Sequence, residues 1–335
     1  MVPAERAGIE LDEFLCLMMP RANKGFLRRQ VNAGRVLVDG MPAHPAQRLR
    51  RNQVVVIDIE ESELPISPVA PPQPIPILYE DDEVLLVDKP SGLAVEPERW
   101  AREAACVSGA LLHLALERAA EESGDARAEA LDFRPRLVHR IDKDTSGVLL
   151  VAKTLEVERR LRRAFDEGRI EKEYWALVEG ELRLEGDAPL VLDAPLAPDA
   201  RRSGRMRVKN GGKPSRTEVE VLERFRGFTL VLCRPRTGRT HQIRVHLMDA
   251  GYPLAVDPLY GRREALLLSE IKRDYRPKRG RAERPLIDRL TLHARALSFP
   301  TGGDGARRVV EAPVPKDLQR TLQQLGKVRP AEGRR

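Results

Sequence analysis

A chain of 335 residues is long enough for one large domain and a smaller one, and its hydrophobic fraction of 41% suits a globular protein. Aromatic residues make up only 4% of the chain, so we expect a core of aliphatic side chains. The chain carries 58 basic and 51 acidic residues, and the formal charge of +7 favours a polyanionic partner over a cationic one.

The sequence predicts neither a membrane partner nor a metal site. No segment approaches the roughly 18 consecutive apolar residues of a membrane-spanning helix. The first fifteen residues include acidic side chains and no apolar run, unlike a signal peptide. The three cysteines, Cys16, Cys106 and Cys233, are far apart and match no zinc-binding or disulfide pattern. We therefore expect a protein of the reducing cytoplasm.

Residues 1–60 have the pattern of a small domain that combines helices and strands. Apolar residues recur at helical spacing over 11–18 and again over 26–31. The segment 36–40 is a short apolar strand that ends in Asp-Gly, a dipeptide typical of hairpin turns. A further strand is predicted at 53–57. We expect these elements to form one compact unit.

This first domain is strongly basic. Between Met18 and Asn52 there is one acidic residue, Asp39, against eight basic ones, which are Arg21, Lys24, Arg28, Arg29, Arg35, Arg48, Arg50 and Arg51. A basic face with so few acids favours contact with a phosphate backbone, although a solvated helix face would have the same composition. Arg28, Arg29 and Arg35 are the candidate residues for this phosphate contact.

Residues 61–75 include five prolines and show no hydrophobic periodicity, which is typical of a semi-rigid linker and predicts one over residues 61–76. The linker predicts that a second domain begins at residue 77. The C-terminal residues 326–335 have the composition of a disordered tail.

The second domain, residues 77–325, alternates irregularly between strand and helix patterns. Strands are predicted at 84–87, 147–152, 174–178, 217–222 and 228–233, and helices at 155–165 and 240–248. Without regular alternation of strands and helices, the pattern predicts an α+β fold with a mixed, largely antiparallel central sheet and flanking helices. The sequence contains no glycine-rich phosphate loop and no dinucleotide fingerprint, so we expect no cofactor.

Four motifs stand out in this domain. They are HRIDKDTSG at 139–147, KEY at 172–174, TGRTHQIRVH at 237–246 and DPLYG at 257–261. In this order they resemble the RluA-type family of pseudouridine synthases, and the resemblance extends over about residues 77–300. The sequence departs from the family pattern at Val95-Glu96-Pro97 and at Ala255-Val256. Residues 1–60 resemble the small RNA-binding domain that a ribosomal small-subunit protein shares with several RNA-modifying enzymes.

The resemblance implies the roles of four residues. Asp142 would be the nucleophile, and Arg244 the cation that keeps its carboxylate ionised and oriented. Tyr174 would stack on the flipped base, and its hydroxyl would take part in proton transfer. Arg140 would fill the space that the extruded nucleotide leaves. Considered alone, Asp142 would be a turn-forming aspartate, so its assignment depends on the companion motifs.

Further RNA contacts are expected from Arg239 and from Lys213, which lies in a basic glycine-containing loop. Arg239 could instead pair with a structural carboxylate, and the loop around Lys213 could be a plain hairpin connection. His139, His241 and His246 are expected to be structural or packing residues rather than metal ligands.

The resemblance implies an enzyme that isomerises uridine to pseudouridine in structured RNA, for which we expect large-subunit ribosomal RNA. Two alternatives stay open: a synthase directed at transfer RNA, and a non-catalytic RNA-binding or ribosome-assembly factor. A synthase of the small-subunit type is disfavoured by His139, where that group usually has glycine. We expect a monomer.

Overall fold

The computed structural model describes residues 1–19, 22–60, 63–65, 69–98, 104–123, 135–184, 186, 188–277, 280–302 and 306–331. The chain divides into two compact units. The first comprises Met1–Ile75, Ala94–Leu137 and Val151–Glu158, and the second comprises Pro76–Leu93, Val138–Leu150 and Arg159–Arg335.

Among the described residues, the first unit contains a small antiparallel sheet and three complete α-helices. Its helices are α1 (Leu11–Met18), α2 (Lys24–Asn32) and α3 (Val107–Ser123), and its sheet consists of β1 (Val36–Val38), β2 (Met41–Pro42) and β3 (Val55–Ile57), with β1 in the centre. Asn23 caps α2, because its side-chain oxygen accepts the N–H of Phe26 at 2.8 Å. Asp39 and Gly40 both have positive φ, as the turn between β1 and β2 requires.

Helix α3 belongs to this first unit, although its sequence lies beyond the predicted linker. Leu17 of α1 packs against Ala115 and Ala119 of α3. Val69, inside the proline-rich segment, accepts a hydrogen bond from the N–H of Cys106 at 2.9 Å. Gly109 permits this approach, since a Cβ there would lie 2.1 Å from the carbonyl oxygen of Val69. The proline-rich segment is thus anchored at the start of α3.

The remaining strands and helices follow in chain order. The strands are β4 (Ile77–Glu80), β5 (Val84–Lys89), β6 (Arg136–Leu137), β7 (Ser146–Ala152), β8 (Glu171–Glu179), β9 (Leu190–Leu192), β10 (Leu196–Pro198), β11 (Met206–Val208), β12 (Thr217–Phe225), β13 (Phe228–Pro235), β14 (Leu292–Pro300) and β15 (Arg307–Glu311). The helices are α4 (Leu155–Asp166), α5 (Gln242–Asp249), α6 (Leu268–Ile271) and α7 (Lys316–Val328).

Within the described ranges, ten of these strands form one sheet in the order β4-β5-β7-β14-β8-β13-β12-β9, with β15 paired to β14 and β6 to β7. Strands β7 and β14 run parallel, whereas β8 is antiparallel to both β14 and β13. Strands β10 and β11 form a separate antiparallel hairpin. The predicted α+β fold with a mixed, largely antiparallel sheet is confirmed.

Strand β7 is buried along its whole length, which accounts for its uninterrupted apolar sequence. It begins at the end of the HRIDKDTSG motif, so the packing of the sheet fixes the position of that loop. Gly147 makes this possible: its φ is +114°, and a Cβ there would lie 2.2 Å from the carbonyl oxygen of Ala294 in β14.

Two helix boundaries differ from the sequence patterns. Helix α5 begins at Gln242 rather than at residue 240, because His241 has a left-handed backbone conformation. Helix α7 continues to Val328, so residues 326–328 of the predicted tail are helical, and Leu325 is fully buried in the core that α7 covers. Residues 332–335 of that tail lie outside the described residues. Among the described residues, no helix is both long and apolar enough to cross a membrane.

Candidate active site

Side chains at the end of β5 and just after it bind the backbone carbonyls of the loop that carries Asp142. The Nζ of Lys89, which is fully buried, donates to the carbonyl oxygens of Lys143 at 2.7 Å, Leu93 at 2.8 Å and Pro90 at 2.9 Å. Burial lowers the pKa of Lys89 to about 7, against the opposing effect of nearby carboxylates. Ser91 adds a hydrogen bond to the carbonyl of Asp144 at 2.6 Å. The loop therefore has a defined conformation.

Asp142 meets Arg244 at the start of α5. Nη1 of Arg244 donates to Oδ2 of Asp142 at 3.2 Å, and the side chain of Asp142 remains 23% exposed. The other edge of the guanidinium donates to both oxygens of Asp257, at 2.8 and 2.7 Å. Arg244 is only 3% exposed, and Asp257 is buried. One buried arginine thus links a buried carboxylate to a carboxylate that solvent can reach.

Asp257 is held in turn by the DPLYG motif that it begins. Its Oδ1 accepts the N–H groups of Leu259 at 2.8 Å and Tyr260 at 3.1 Å. Gly261 closes the turn on the carbonyl of Asp257, and a Cβ at this glycine would lie 2.8 Å from that oxygen. The sequence patterns had indicated no role for Asp257. The available signal was the motif itself, because an aspartate before a turn closed by glycine is suited to binding a cation.

Tyr174 lies on β8, opposite Cys233 of β13 and Ala294 of β14. Its side chain is 9% exposed. Burial raises the pKa of the Tyr174 hydroxyl above its ordinary value, and the negative charge of Asp142 raises it further. The phenol is therefore neutral at physiological pH.

The turn before α5 is organised by Gln242. Its Oε1 accepts from the hydroxyl of Thr237 at 2.7 Å and from the N–H of Arg239 at 3.1 Å, and its Nε2 donates to Thr217 and to the carbonyl of Arg216, both at 3.0 Å. The Nε of Arg239 donates to a backbone carbonyl, that of Pro214, at 3.1 Å.

The predicted structural histidines make hydrogen bonds within the fold. Nε2 of His139 accepts the N–H of Leu150 at 2.9 Å, and burial lowers the pKa of His139 to about 3. The two ring nitrogens of His246 lie 3.0 Å from the Thr217 hydroxyl and 2.9 Å from the carbonyl of Ala194. Within the described ranges, no three potential metal-ligating side chains form a cluster.

The other predicted RNA-binding residues lie at the surface. Arg140 and Lys213 are exposed, and the backbone of Lys213 is paired with Leu196 at the base of the β10–β11 hairpin.

In the first unit Arg29 is exposed, whereas Arg28 donates to Asp12 at 2.6 Å. Arg35 forms a two-point ion pair with Glu63, at 2.9 and 2.7 Å. Both acidic partners lie outside residues 18–52, the range of the sequence in which basic residues predominate.

Solved structures define the class to which this fold belongs. The human protein titled RNA Pseudouridylate Synthase Domain Containing 4 superposes with a TM-score of 0.52 at 22% identity, over 75% of this chain and 92% of that one. At that identity the likeness concerns the fold alone, which is that of a pseudouridine synthase.

Sequence comparisons identify the family. The RNA pseudouridylate synthase family model matches residues 83–249. Ribosomal large subunit pseudouridine synthase D of Neisseria meningitidis serogroup B is 34% identical over 97% of this chain and 80% of its own length. Ribosomal large subunit pseudouridine synthase C of Escherichia coli strain K12 is 37% identical over 98% of this chain and 96% of its own length. The chain belongs to the RNA pseudouridylate synthase family, whose members are isomerases. The family predicted from the four motifs is confirmed.

Proposed function

We propose that this pseudouridine synthase acts on large-subunit ribosomal RNA, with Asp142 as its nucleophile. The names of the relatives support the substrate, since those proteins are ribosomal large subunit synthases. The observation that carries the proposed site is the link from Asp142 through Arg244 to the buried Asp257. It places one accessible carboxylate beside a fixed positive charge.

The reaction conserves all atoms of the substrate. The glycosidic bond from C1′ to N1 breaks, the uracil rotates, and a new bond joins C1′ to C5. C5 then loses its proton and N1 gains one, so no redox partner or group donor is needed. A carboxylate can attack the sugar or assist departure of the base, as it does in glycosidases, and is released when the new bond forms.

We assign Arg244 to orientation of this carboxylate. A buried guanidinium loses hydration and is stabilised only where carboxylates surround it in good geometry. Asp257 occupies two of its nitrogens and leaves Nη1 directed at Asp142. This arrangement restricts the rotation of the Asp142 carboxylate before the substrate binds.

We propose that the ring of Tyr174 stacks on one face of the flipped uracil, as the family resemblance implies. Its neutral phenol can stack on a base and still offer a hydroxyl proton. The negative charge of Asp142 raises the pKa of the Tyr174 hydroxyl, which helps to keep the phenol protonated. Arg140, exposed two residues before Asp142, is suited to filling the space that the extruded nucleotide vacates.

RNA binding outside the pocket is assigned to Arg239 and Lys213 in the second unit, and to Arg28, Arg29 and Arg35 in residues 1–60. We propose that residues 1–60 form the small RNA-binding domain that their sequence resembles. Arg29 is exposed, whereas Arg35 would have to exchange its ion pair with Glu63 for a phosphate. We further propose a cytoplasmic monomer that needs no metal or cofactor.

The test uses RNA with tritium at C5 of uridine, because isomerisation releases that tritium. The purified full-length protein is incubated with ribosomal RNA and, separately, with transfer RNA from cells that lack its gene. Release from large-subunit ribosomal RNA supports the proposal. Release from transfer RNA alone would show that transfer RNA is the substrate. RNA binding without release from either pool would indicate a non-catalytic RNA-binding protein.

A further inference from the structure

His241 has a backbone conformation that histidine rarely adopts. Its φ of +54° and ψ of 20° lie in the left-handed region, directly before the first residue of α5. Glycine occupies this region without steric cost, whereas a Cβ makes it unfavourable. A histidine persists there when the surrounding contacts fix it, and such positions are concentrated at functional sites.

The imidazole of His241 lies between a tyrosine hydroxyl and the carboxylate of Asp142. Its Nδ1 is 2.8 Å from the hydroxyl of Tyr260, and its Nε2 is 4.0 Å from Oδ2 of Asp142. The two rings meet edge to face, with centroids 5.5 Å apart. The side chain of His241 is 15% exposed, so this position is largely screened from solvent.

The hydrogen bonds of Tyr260 favour one position for the ring proton of His241. The Tyr260 hydroxyl accepts the backbone N–H of Met206 at 2.7 Å, so its own proton is available to Nδ1. Nδ1 is then the acceptor, and in the neutral imidazole Nε2 is the N–H group. That N–H faces Asp142. The contact of Tyr260 with the β11 backbone therefore favours the tautomer that has its proton on Nε2.

The charges around His241 favour the neutral ring. Burial has the largest effect on the pKa of His241 and lowers it, the carboxylates of Asp142 and Asp257 oppose this, and the guanidinium groups of Arg244 and Arg140 add to it.

We propose that His241 is a positioning residue for Asp142, acting through an Nε2–H group directed at Oδ2. At 4.0 Å the contact is an ion–dipole attraction rather than a hydrogen bond. Arg244 also contacts Oδ2, so the two groups together fix the plane of the carboxylate and assign the attack on the sugar to Oδ1. The inference rests on the nucleophilic role proposed for Asp142.

The test separates the backbone of residue 241 from its side chain. His241→Gly accepts the left-handed conformation and removes the imidazole. We expect kcat for tritium release to fall about tenfold, with KM and RNA affinity within about twofold of wild type. His241→Gln restores an N–H donor at similar reach and should regain most of kcat. Asn52→Gly is the matched control, because Asn52 also has positive φ, at +66°, and its replacement should leave kcat unchanged.

Substitution of Tyr260 provides a second, independent test. Tyr260→Phe removes the proton given to Nδ1, so kcat should fall about threefold in the wild-type background and no further in the His241→Gly background. If His241→Gly does not fold, as judged by circular dichroism, Tyr260→Phe is measured in the His241→Gln background, where no Nδ1 receives the proton and kcat should fall no further.

Wild-type kcat in a folded His241→Gly protein would overturn the inference, as would a Tyr260→Phe effect that multiplies in full on that background. A simple structural role would instead lower the free energy of unfolding in parallel with activity and would give no recovery with glutamine. Absence of tritium release by the wild type is a separate outcome, which would contradict the proposed function itself.

Discussion

At the scale of single residues, the site depends on how one guanidinium is divided between two carboxylates. Nε and Nη2 of Arg244 donate hydrogen bonds to Asp257, and its Nη1 donates to Asp142. Asp257 also accepts two backbone N–H groups, which fix the orientation in which it holds the arginine. The accessible carboxylate and the structural one thus have different surroundings and different roles.

The nucleophilic role proposed for Asp142 can be tested by an isosteric change. Asp142→Asn should abolish tritium release, because the amide cannot supply the charge that attacks the sugar, while RNA affinity stays within a few-fold of wild type. Filter binding and tritium release on the same preparation measure the two effects. Asp144→Asn, two residues along the same loop, is the control and should stay active. Turnover at the wild-type rate by Asp142→Asn would remove Asp142 as nucleophile.

Because the guanidinium of Arg244 donates hydrogen bonds to two carboxylates, we predict that lysine cannot replace it. Lys has one nitrogen and cannot donate to both carboxylates in fixed directions. Arg244→Lys should lower kcat at least a hundredfold and reduce the free energy of unfolding by about 2 kcal/mol, the contribution of a hydrogen bond to a charged group. Urea titration and tritium release measure both effects. Arg262→Lys, at a side chain that is 79% exposed, should change neither.

At the scale of elements, close approaches of backbone position the loops. The parallel contact of β7 and β14 brings Gly147 opposite Ala294, immediately after the loop of Asp142. Hydrophobic periodicity predicted β7, β8, β12 and β13, because the buried positions of these strands are occupied by apolar side chains. It did not predict α3, since alanines such as Ala115 and Ala119 give little hydrophobic contrast although they are buried.

Gly147→Ala tests the contact of these two strands. A methyl group would meet the Ala294 carbonyl in a conformation that already disfavours side chains, so the substitution should cost about 3 kcal/mol or more of the free energy of unfolding. Gly168→Ala is matched, since φ there is +68° with nothing within 4 Å, and it should cost about 1 kcal/mol. Equal costs in urea titrations would show that close packing at Gly147 is unimportant.

At the scale of the whole molecule, charge governs both RNA affinity and pH stability. Exposed basic residues of the first unit include Arg29, Arg50 and Arg51, whereas Arg28 and Arg35 are engaged by carboxylates. Phosphate contacts release counterions, so affinity should fall steeply as salt rises.

Replacing Arg29, Arg50 and Arg51 by glutamate should lower RNA affinity and reduce the slope of log K against log salt by about 0.7 to 0.9 for each phosphate that the variant no longer binds. Fluorescence anisotropy over a salt series measures the slope. Arg183→Glu, the same charge reversal at an exposed position of the second unit, is the control for a single site and should alter the slope little. An unchanged slope in the triple variant would argue against RNA contact by this surface.

Stability should fall in acid because buried histidines resist protonation. Burial lowers the pKa of His139 to about 3 and that of His293 to about 4. The unfolded chain binds these protons from about pH 6.5 downward, whereas the folded protein does not, so the stabilisation is complete above pH 6.5 and is lost toward pH 3. Each histidine should contribute about 1.4 kcal/mol per pH unit between about pH 6 and 4.

Urea titrations from pH 7 to 4 should show a shallower dependence for His139→Gln than for wild type. His113→Gln is the control, because the side chain of His113 is 62% exposed. A pH dependence that does not differ between the two variants would exclude His139 as a source of the acid sensitivity.

The sequence by itself determined the family, the sheet-rich fold and the identity of Asp142, Tyr174 and Arg244 as candidates, because local motifs and hydrophobic periodicity are properties of neighbouring residues. Only the tertiary structure decided that Asp257 holds Arg244, that Lys89 holds the loop of Asp142, and that α3 belongs with the first unit. These contacts join segments that periodicity treats separately, and Asp142 and Arg244 themselves are 102 residues apart. A charge count cannot show which arginines already have carboxylate partners, because pairing depends on distance in space rather than along the chain.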